Sequence, residues 1–173
     1  MTTIWFLSDP HFGHAACVHT FKRQDGSPLR DFHSVIEMNE TIIENWNNTV
    51  MPQDHAYLMG DIAMKREFLP LVRRLNGHKR LLFGNHDIFD YKTYAKDAGF
   101  EKMMAMRVMD RIIFSHVPVH PGQLQRFKAN VHGHTHQNFV MKEGRPDPQY
   151  MNVCCEVINY TPISLEQIKQ RLA

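Results

Sequence analysis

The chain has 173 residues, 43% of them apolar and 22% charged, with a formal net charge of +2. That length buries a core without disulfides or a structural metal, so one domain over residues 1–173 is the expectation. No window approaches the roughly 18 apolar residues of a membrane span, the N-terminus lacks the pattern of a secretory signal, and the charge is too mild for a nucleic-acid footprint.

Cys17, Cys154 and Cys155 are odd in number and two are adjacent, which argues against a disulfide framework. They read as buried small residues in a reducing compartment. The expected location is the cytoplasm, with no membrane contact and no need for an obligate protein partner.

Apolar runs at Thr3 to Leu7, Ala56 to Met59, Arg80 to Phe83 and Arg111 to Phe114 read as buried strands. Ser34 with Glu37 forms a capping-box pattern, and Val35, Met38, Ile42 and Trp46 then recur along one face. This predicts a helix packed on a sheet. Asp90 to Ala98 predicts another, Lys142 to Gln149 reads as a polar turn, and Ser164 with Gln167 opens a C-terminal helix after Pro162. Strands alternating with helices imply an α/β layered fold.

The chemistry lies in the residues just after the apolar runs. Ser8 precedes Asp9, Gly60 precedes Asp61, Gly84 precedes Asn85, Ser115 precedes His116 and Gly133 precedes His134. In each case a small residue permits a sharp turn and close approach to the backbone, and a ligand-type side chain comes next. Ligands of open α/β sheets sit at the carboxyl ends of strands, so the junctions can converge on one crevice. His11 stands two positions after Asp9 and His136 two after His134, which on extended chain puts each pair on one side. Oxygen and imidazole donors without thiolate suit Mn, Fe or Zn, and the number of donors exceeds one tetrahedral site. Two divalent ions use them all.

These residues resemble the calcineurin-like metallophosphoesterase superfamily, whose blocks DxH, GD, GNH[DE], H and GHxH appear here in order as DPH, GDI, GNHD, SHVP and GHTH. The resemblance implies a four-layer α-β-β-α sandwich of two facing mixed sheets flanked by helices. It also implies that Asp9, His11 and His136 bind one ion, that Asn85, His116 and His134 bind a second, and that Asp61 bridges them. Mn is the expected metal, with Fe or Zn as alternatives. The catalytic expectation is His86 as general acid to the leaving oxygen, with Asp87 orienting it or a neighbouring ligand. Two ions against two carboxylates leave a net positive site, suited to a phosphate.

Phe83 stands where protein phosphatases of that superfamily carry an Arg before the GNH block, which argues against a phosphoprotein substrate. The chain is most similar to the compact bacterial and phage members. The expected substrate is a small phosphodiester such as a nucleotide supplies; a single-strand nuclease and a non-catalytic scaffold are the alternatives. Substrate contacts are assigned to His14, Arg23, Arg30 and His120, against the plainer readings of a helix cap for His14 and solvated charge for the arginines. His19, His55, His78 and His132 are read as structural, with His132 packing beside Gly133.

Overall fold

The computed structural model describes residues 2–173. In chain order the strands are β1 (Ile4–Leu7), β2 (His55–Leu58), β3 (His78–Leu82), β4 (Lys102–Met104), β5 (Met106–Met109), β6 (Ile112–Ser115), β7 (Ala129–His132), β8 (Met141–Lys142), β9 (Arg145–Pro146), β10 (Tyr150–Asn152) and β11 (Ile163–Ser164). The helices are α1 (Ala15–His19), α2 (Val35–Thr49), α3 (Tyr91–Thr93, continued by a π turn at Tyr94–Ala98) and α4 (Leu165–Arg171). Two 3-10 helices lie at Arg66–Arg74 and Pro121–Arg126.

One mixed sheet has the order β11-β1-β2-β3-β4 and a second the order β10-β7-β6-β5. Within each, a single edge strand is antiparallel, β11 in the first and β5 in the second. The carboxyl ends of β1, β2 and β3 therefore share one edge, as do those of β6 and β7.

Side-chain alternation explains why β1 and β6 are apolar on successive positions: both of their faces are covered. Leu7, Leu58 and Leu81 turn toward Met38, Ile42 and Trp46 of α2. Phe6, Tyr57 and Leu82 turn the other way, meeting Phe114 and Val131 of the second sheet. The ring of Phe6 stacks on Tyr57 at 5.3 Å and on Phe114 at 4.3 Å. Ile168 of α4 joins this inter-sheet core. The second sheet's outer face is covered by the segment leading to Pro121–Arg126, where Val119 N donates to Asn130 Oδ1 at 2.9 Å. The α/β sandwich is the architecture expected from sequence, with most of its helical mass on one side.

The caps match the sequence with one change. Ser34 Oγ accepts from Glu37 N at 3.1 Å, but the Glu37 carboxylate accepts from His33 N at 2.7 Å instead of closing the box. Ser164 and Gln167 form the full reciprocal pair. The expected turn at Lys142 to Gln149 contains a small hairpin, with Glu143 and Gly144 both left-handed (φ 51° and 78°) between β8 and β9. Among the described residues no helix is long and apolar enough to cross a membrane. All three cysteines are free and buried.

A crossing beyond β10 ties the two sheets at the end where the site forms. Val153 N donates to His132 O at 2.8 Å, Ser8 N to Val153 O at 3.0 Å, and Cys155 N to Ser8 O at 3.0 Å. This pins the carboxyl ends of β1 and β7 side by side and brings Cys154 and Glu156 behind the strand ends.

Candidate metal centre

The junctions after the strands are backbone-strained. Asp9, His11, Asp61, His134 and His136 all adopt left-handed φ, between 49° and 65°. Such conformations cost non-glycine residues on the order of 1 kcal/mol or more each and persist only where the surroundings hold them. Here Asp9 N donates to Gly60 O at 3.1 Å and His11 N to Asp61 O at 3.0 Å. The small residues read from sequence serve close approach: a Cβ on Gly133 would lie 1.8 Å from Ser8 Oγ, and one on Gly60 would lie 2.5 Å from His116 Nδ1.

All of the expected metal-donor residues meet at this edge. Asp9, His11 and His136 present ligand atoms within 4.8 Å of one another, and so do Asp61, His116 and His134. His11 Nε2 lies 3.7 Å from Asp9 Oδ1 and 3.6 Å from Asp61 Oδ2. His116 Nε2 lies 3.4 Å from Asp61 Oδ1 and 3.0 Å from Asn85 Oδ1. Asp61 therefore stands between the two groups. Asp9 Oδ1 and both ring nitrogens of His11 are buried without a hydrogen-bond partner. Buried polar atoms left unpaired cost about 1–3 kcal/mol each, and Asp9 Oδ1 and His11 Nε2, turned toward one another and toward Asp61 Oδ2 at 3.6–3.7 Å, fit a cation.

The electrostatics agree. Burial alone would raise the Asp9 pKa, but His11, His116 and the Ser8 hydroxyl hold it well below the usual carboxylate range. Asp61 is also lowered, its burial outweighed chiefly by His116. His116 is pushed up to about 9, because Asp61 and Asp9 outweigh the burial that would lower it. The site is a sink for positive charge.

Behind the donors lies a layer of fixed partners. His116 Nδ1 donates to Met59 O at 2.8 Å, and His136 Nδ1 to Glu156 Oε1 at 2.5 Å, so each ring turns Nε2 toward the cluster. Asp9 Oδ2 accepts from Ser8 Oγ at 2.6 Å, His134 N at 2.9 Å and Cys154 Sγ at 3.2 Å. Glu156 is absent from the donors and contacts that the sequence suggests. Its one signal there is an isolated acid inside the apolar run Val153 to Ile158.

One expectation needs correction, and a second is narrowed to one of its alternatives. The sequence suggests a substrate contact for Arg30, yet this residue is fully buried: its guanidinium donates to Asp9 O at 2.5 Å, Pro10 O at 2.9 Å and Glu156 Oε2 at 3.0 Å. It clamps the strained Asp9 loop. The motif groups Asp87 with the catalytic residues, yet its carboxylate is spent on Asp61 N at 2.9 Å, Gly84 N at 2.8 Å, Ile62 N at 3.0 Å and the Tyr94 hydroxyl at 3.1 Å. It ties the β2 and β3 ends together and sets the Asp61 backbone, so of the two expected roles it orients the neighbouring donor Asp61, and it makes no hydrogen bond to the His86 ring.

His86 is exposed, with its ring 6.0 Å from that of His11 and its N–H donating to Asp61 Oδ1 at 2.9 Å. His14 stands at the N-cap position of α1 without a side-chain capping hydrogen bond and sits 5.4 Å ring to ring from His11; burial first, then His11 and His86, lower its pKa. Arg23 is exposed, on the arm that comes after α1. His120 accepts from Gly122 N at 3.1 Å as the cap of Pro121–Arg126, and by then the chain has turned back over Asn130. His132 keeps its structural role, donating from Nδ1 to Gly133 O at 2.9 Å.

Fold and site together define an α/β sandwich carrying Asp/His groups that could hold metal ions at its strand ends. The chain is 33% identical over 174 residues to the uncharacterized protein MJ1445 of Methanocaldococcus jannaschii, covering 97% of this chain and 90% of that one, and it belongs to that protein's family. No family model matches it. Among solved structures, AQ665 of Aquifex aeolicus, a protein of unknown function, superposes with a TM-score of 0.68 at 22% identity, over 98% of this chain and 99% of that one. Pseudomonas putida nuclease MPE superposes with a TM-score of 0.50 at 17% identity, over 80% of this chain and 63% of that one. Both likenesses establish the fold.

Proposed function

We propose that the chain is a phosphoesterase dependent on two divalent metal ions, of the calcineurin-like kind, hydrolysing a small phosphodiester. The observation that carries this reading is the pair of unpartnered buried atoms, Asp9 Oδ1 and His11 Nε2, inside a ring of further oxygen and imidazole donors. Asp9, His11 and His136 would hold one ion, Asn85, His116 and His134 the other, with Asp61 shared. Divalent ions bound there supply Lewis-acid activation and positive charge to a phosphoester, and Mn, Fe or Zn matches the donors.

The chain's own residues do the rest. Met59 O and Glu156 fix the ring orientations of His116 and His136, which spares the site reorganisation when charge develops. Arg30 holds the strained Asp9 loop from behind. His86 stands exposed at the open side, anchored through its backbone to Asp61, and its ring donates a proton to the departing oxygen.

The test is a screen of phosphomonoesters, cyclic nucleotides, dinucleotides and short oligonucleotides with metal-reconstituted protein. Chelator-sensitive turnover of small diesters is expected. Turnover confined to oligonucleotides would replace this reading with a nuclease, and metal binding without any turnover would replace it with a scaffold.

A further inference from the structure

A further group of donors lies beside His11, on the turns that lead into α1. His14 N donates to His11 O at 3.0 Å and Cys17 N to His14 O at 3.1 Å. Successive turns of this three-residue kind eclipse side chains at i and i+3, so His11, His14 and Cys17 stack along one face. Their ligand atoms all lie within 4.8 Å of one another. His11 and Cys17 are buried, and half-buried His14 gives the group its side toward solvent. His11 is the member shared with the donor cluster: its Nε2 turns toward Asp9 and Asp61, while Nδ1 is buried without a hydrogen-bond partner. His116 and His136 instead satisfy Nδ1 on Met59 O and Glu156 Oε1. A metal-bound imidazole almost always uses its second nitrogen, so the open Nδ1 of His11 is the exception to explain.

The spacing of the other two donors matches a metal. His14 Nδ1 lies 3.5 Å from Cys17 Sγ. Zinc holds nitrogen at about 2.0–2.1 Å and sulfur at about 2.3 Å, which at the tetrahedral angle sets them about 3.6 Å apart. Without an ion the same contact is a thiol–imidazole hydrogen bond, but that bond leaves His11 Nδ1 open. Two imidazoles and a thiolate are also a softer set than the carboxylates and imidazoles next to them, so they select zinc over manganese. We propose that His11 Nδ1, His14 Nδ1 and Cys17 Sγ form a further cation site, for zinc, with the His11 ring shared between it and the donor cluster. Binding releases the Cys17 thiol proton and the remaining His11 ring proton, and a water completes the tetrahedron on the side of His14. The site stands whether or not the neighbouring cluster hydrolyses a phosphoester.

The test titrates the full chain, preloaded with Mn, with Cd(II), a thiophilic stand-in for zinc whose bond to sulfur gives an ultraviolet charge-transfer band. Metals retained after desalting are counted. Wild type should take up one Cd per chain, with the band and without losing Mn. Cys17→Ser should lose both the band and that equivalent, and His14→Ala should weaken Cd binding by at least about tenfold, the least that losing an outer-layer partner costs a metal site. Cys154→Ser, which removes the thiol bonded to Asp9, should keep the band. Melting curves verify folding, and Cys17→Ala supplies a second thiol-free variant where the serine hydroxyl disturbs the buried position. A wild-type chain without the band, or a band that survives in folded Cys17→Ser or Cys17→Ala, overturns the proposal and leaves the His14–Cys17 contact a hydrogen bond. So does a band that grows only as Mn is displaced, because Cd is then in the donor cluster.

Discussion

Asp54 and Asp9 lie at opposite ends of the same parallel strands, both buried, and their surroundings differ in one respect. Asp54 Oδ1 accepts from Thr3 N at 2.9 Å, and its Oδ2 from Trp5 Nε1 at 2.9 Å and Met51 N at 3.1 Å, so both oxygens are used. Asp9 has three donors on Oδ2 and none on Oδ1. The first carboxylate is finished by the protein and staples the start of the sheet. The second is left open toward two imidazoles and another carboxylate. Residue type and depth are alike; satisfaction of hydrogen-bonding capacity separates a structural acid from a candidate ligand.

The largest expected effect tests the open end directly. Exhaustive chelation should abolish diester turnover and Mn should restore it, while Asp61→Asn should cost at least about 100-fold in kcat/KM, far more than His14→Ala. Full turnover after chelation sinks the metal reading, and wild-type rates in Asp61→Asn sink the shared-ligand role. Next, His86→Asn should slow alkyl or nucleoside esters by about 10² to 10⁴, and p-nitrophenyl esters much less, since nitrophenolate leaves without a proton. Metal content must stay at the wild-type level; equal slowing of both ester classes would make His86 a positioning group.

The layer behind the donors comes third. Glu156→Gln leaves the buried Arg30 charge without its ion-pair partner and loosens the His136 ring. It should lower stability by about 3–5 kcal/mol by denaturant titration and metal affinity by about 10- to 100-fold. Losing one without the other would separate the two duties assigned to Glu156.

The smallest effect belongs to the finished end. Asp54→Asn puts an amide N–H against backbone or indole donors and should cost about 1–2 kcal/mol, with metal binding intact. Burial would raise the Asp54 pKa, but hydrogen bonds from Thr3, Trp5 and Met51 outweigh it and leave it below the usual value. A carboxylate lowered in the folded state contributes stability above its unfolded pKa of about 3.9 and loses that contribution as pH falls through the folded value. The difference in Tm between wild type and Asp54→Asn should therefore narrow below about pH 4. A gap constant down to pH 2 would mean that the charge of Asp54 contributes nothing.

Much of the site is legible in the sequence because its signal is local. A small residue followed by Asp, Asn or His at a strand end encodes turn and donor in adjacent positions, and the structure brings Asp9, Asp61, Asn85, His116 and His134 to one edge. The supporting layer is illegible for the opposite reason. Arg30 and Glu156 are 126 positions apart, and nothing near either one announces the other. Arg30 reads as solvated or substrate-facing until the fold closes over it. For Asp87 the motif leaves open whether it orients His86 or a neighbouring donor, because a motif shows which residues are neighbours and cannot show that a carboxylate turns toward Asp61 N and Gly84 N. Among the elements, β10 and β11 escape detection because two or three residues carry too little period, and the helix Arg66–Arg74 because Pro70 interrupts its pattern.

By itself the sequence determined the α/β class, the faces of α2, the capping of α4 and the Asp, Asn and His residues that stand at the strand ends, since all of these depend on spacing within a few residues. Only the tertiary structure decided which buried acid keeps a free oxygen and which arginine becomes a clamp. The same holds for the arm of Arg23 and Gln24, which meets the turn of Gln137 to form a cleft. Those outcomes depend on contacts between segments more than a hundred positions apart, and hydrogen-bond satisfaction is a property of the assembled neighbourhood, not of any one stretch of chain.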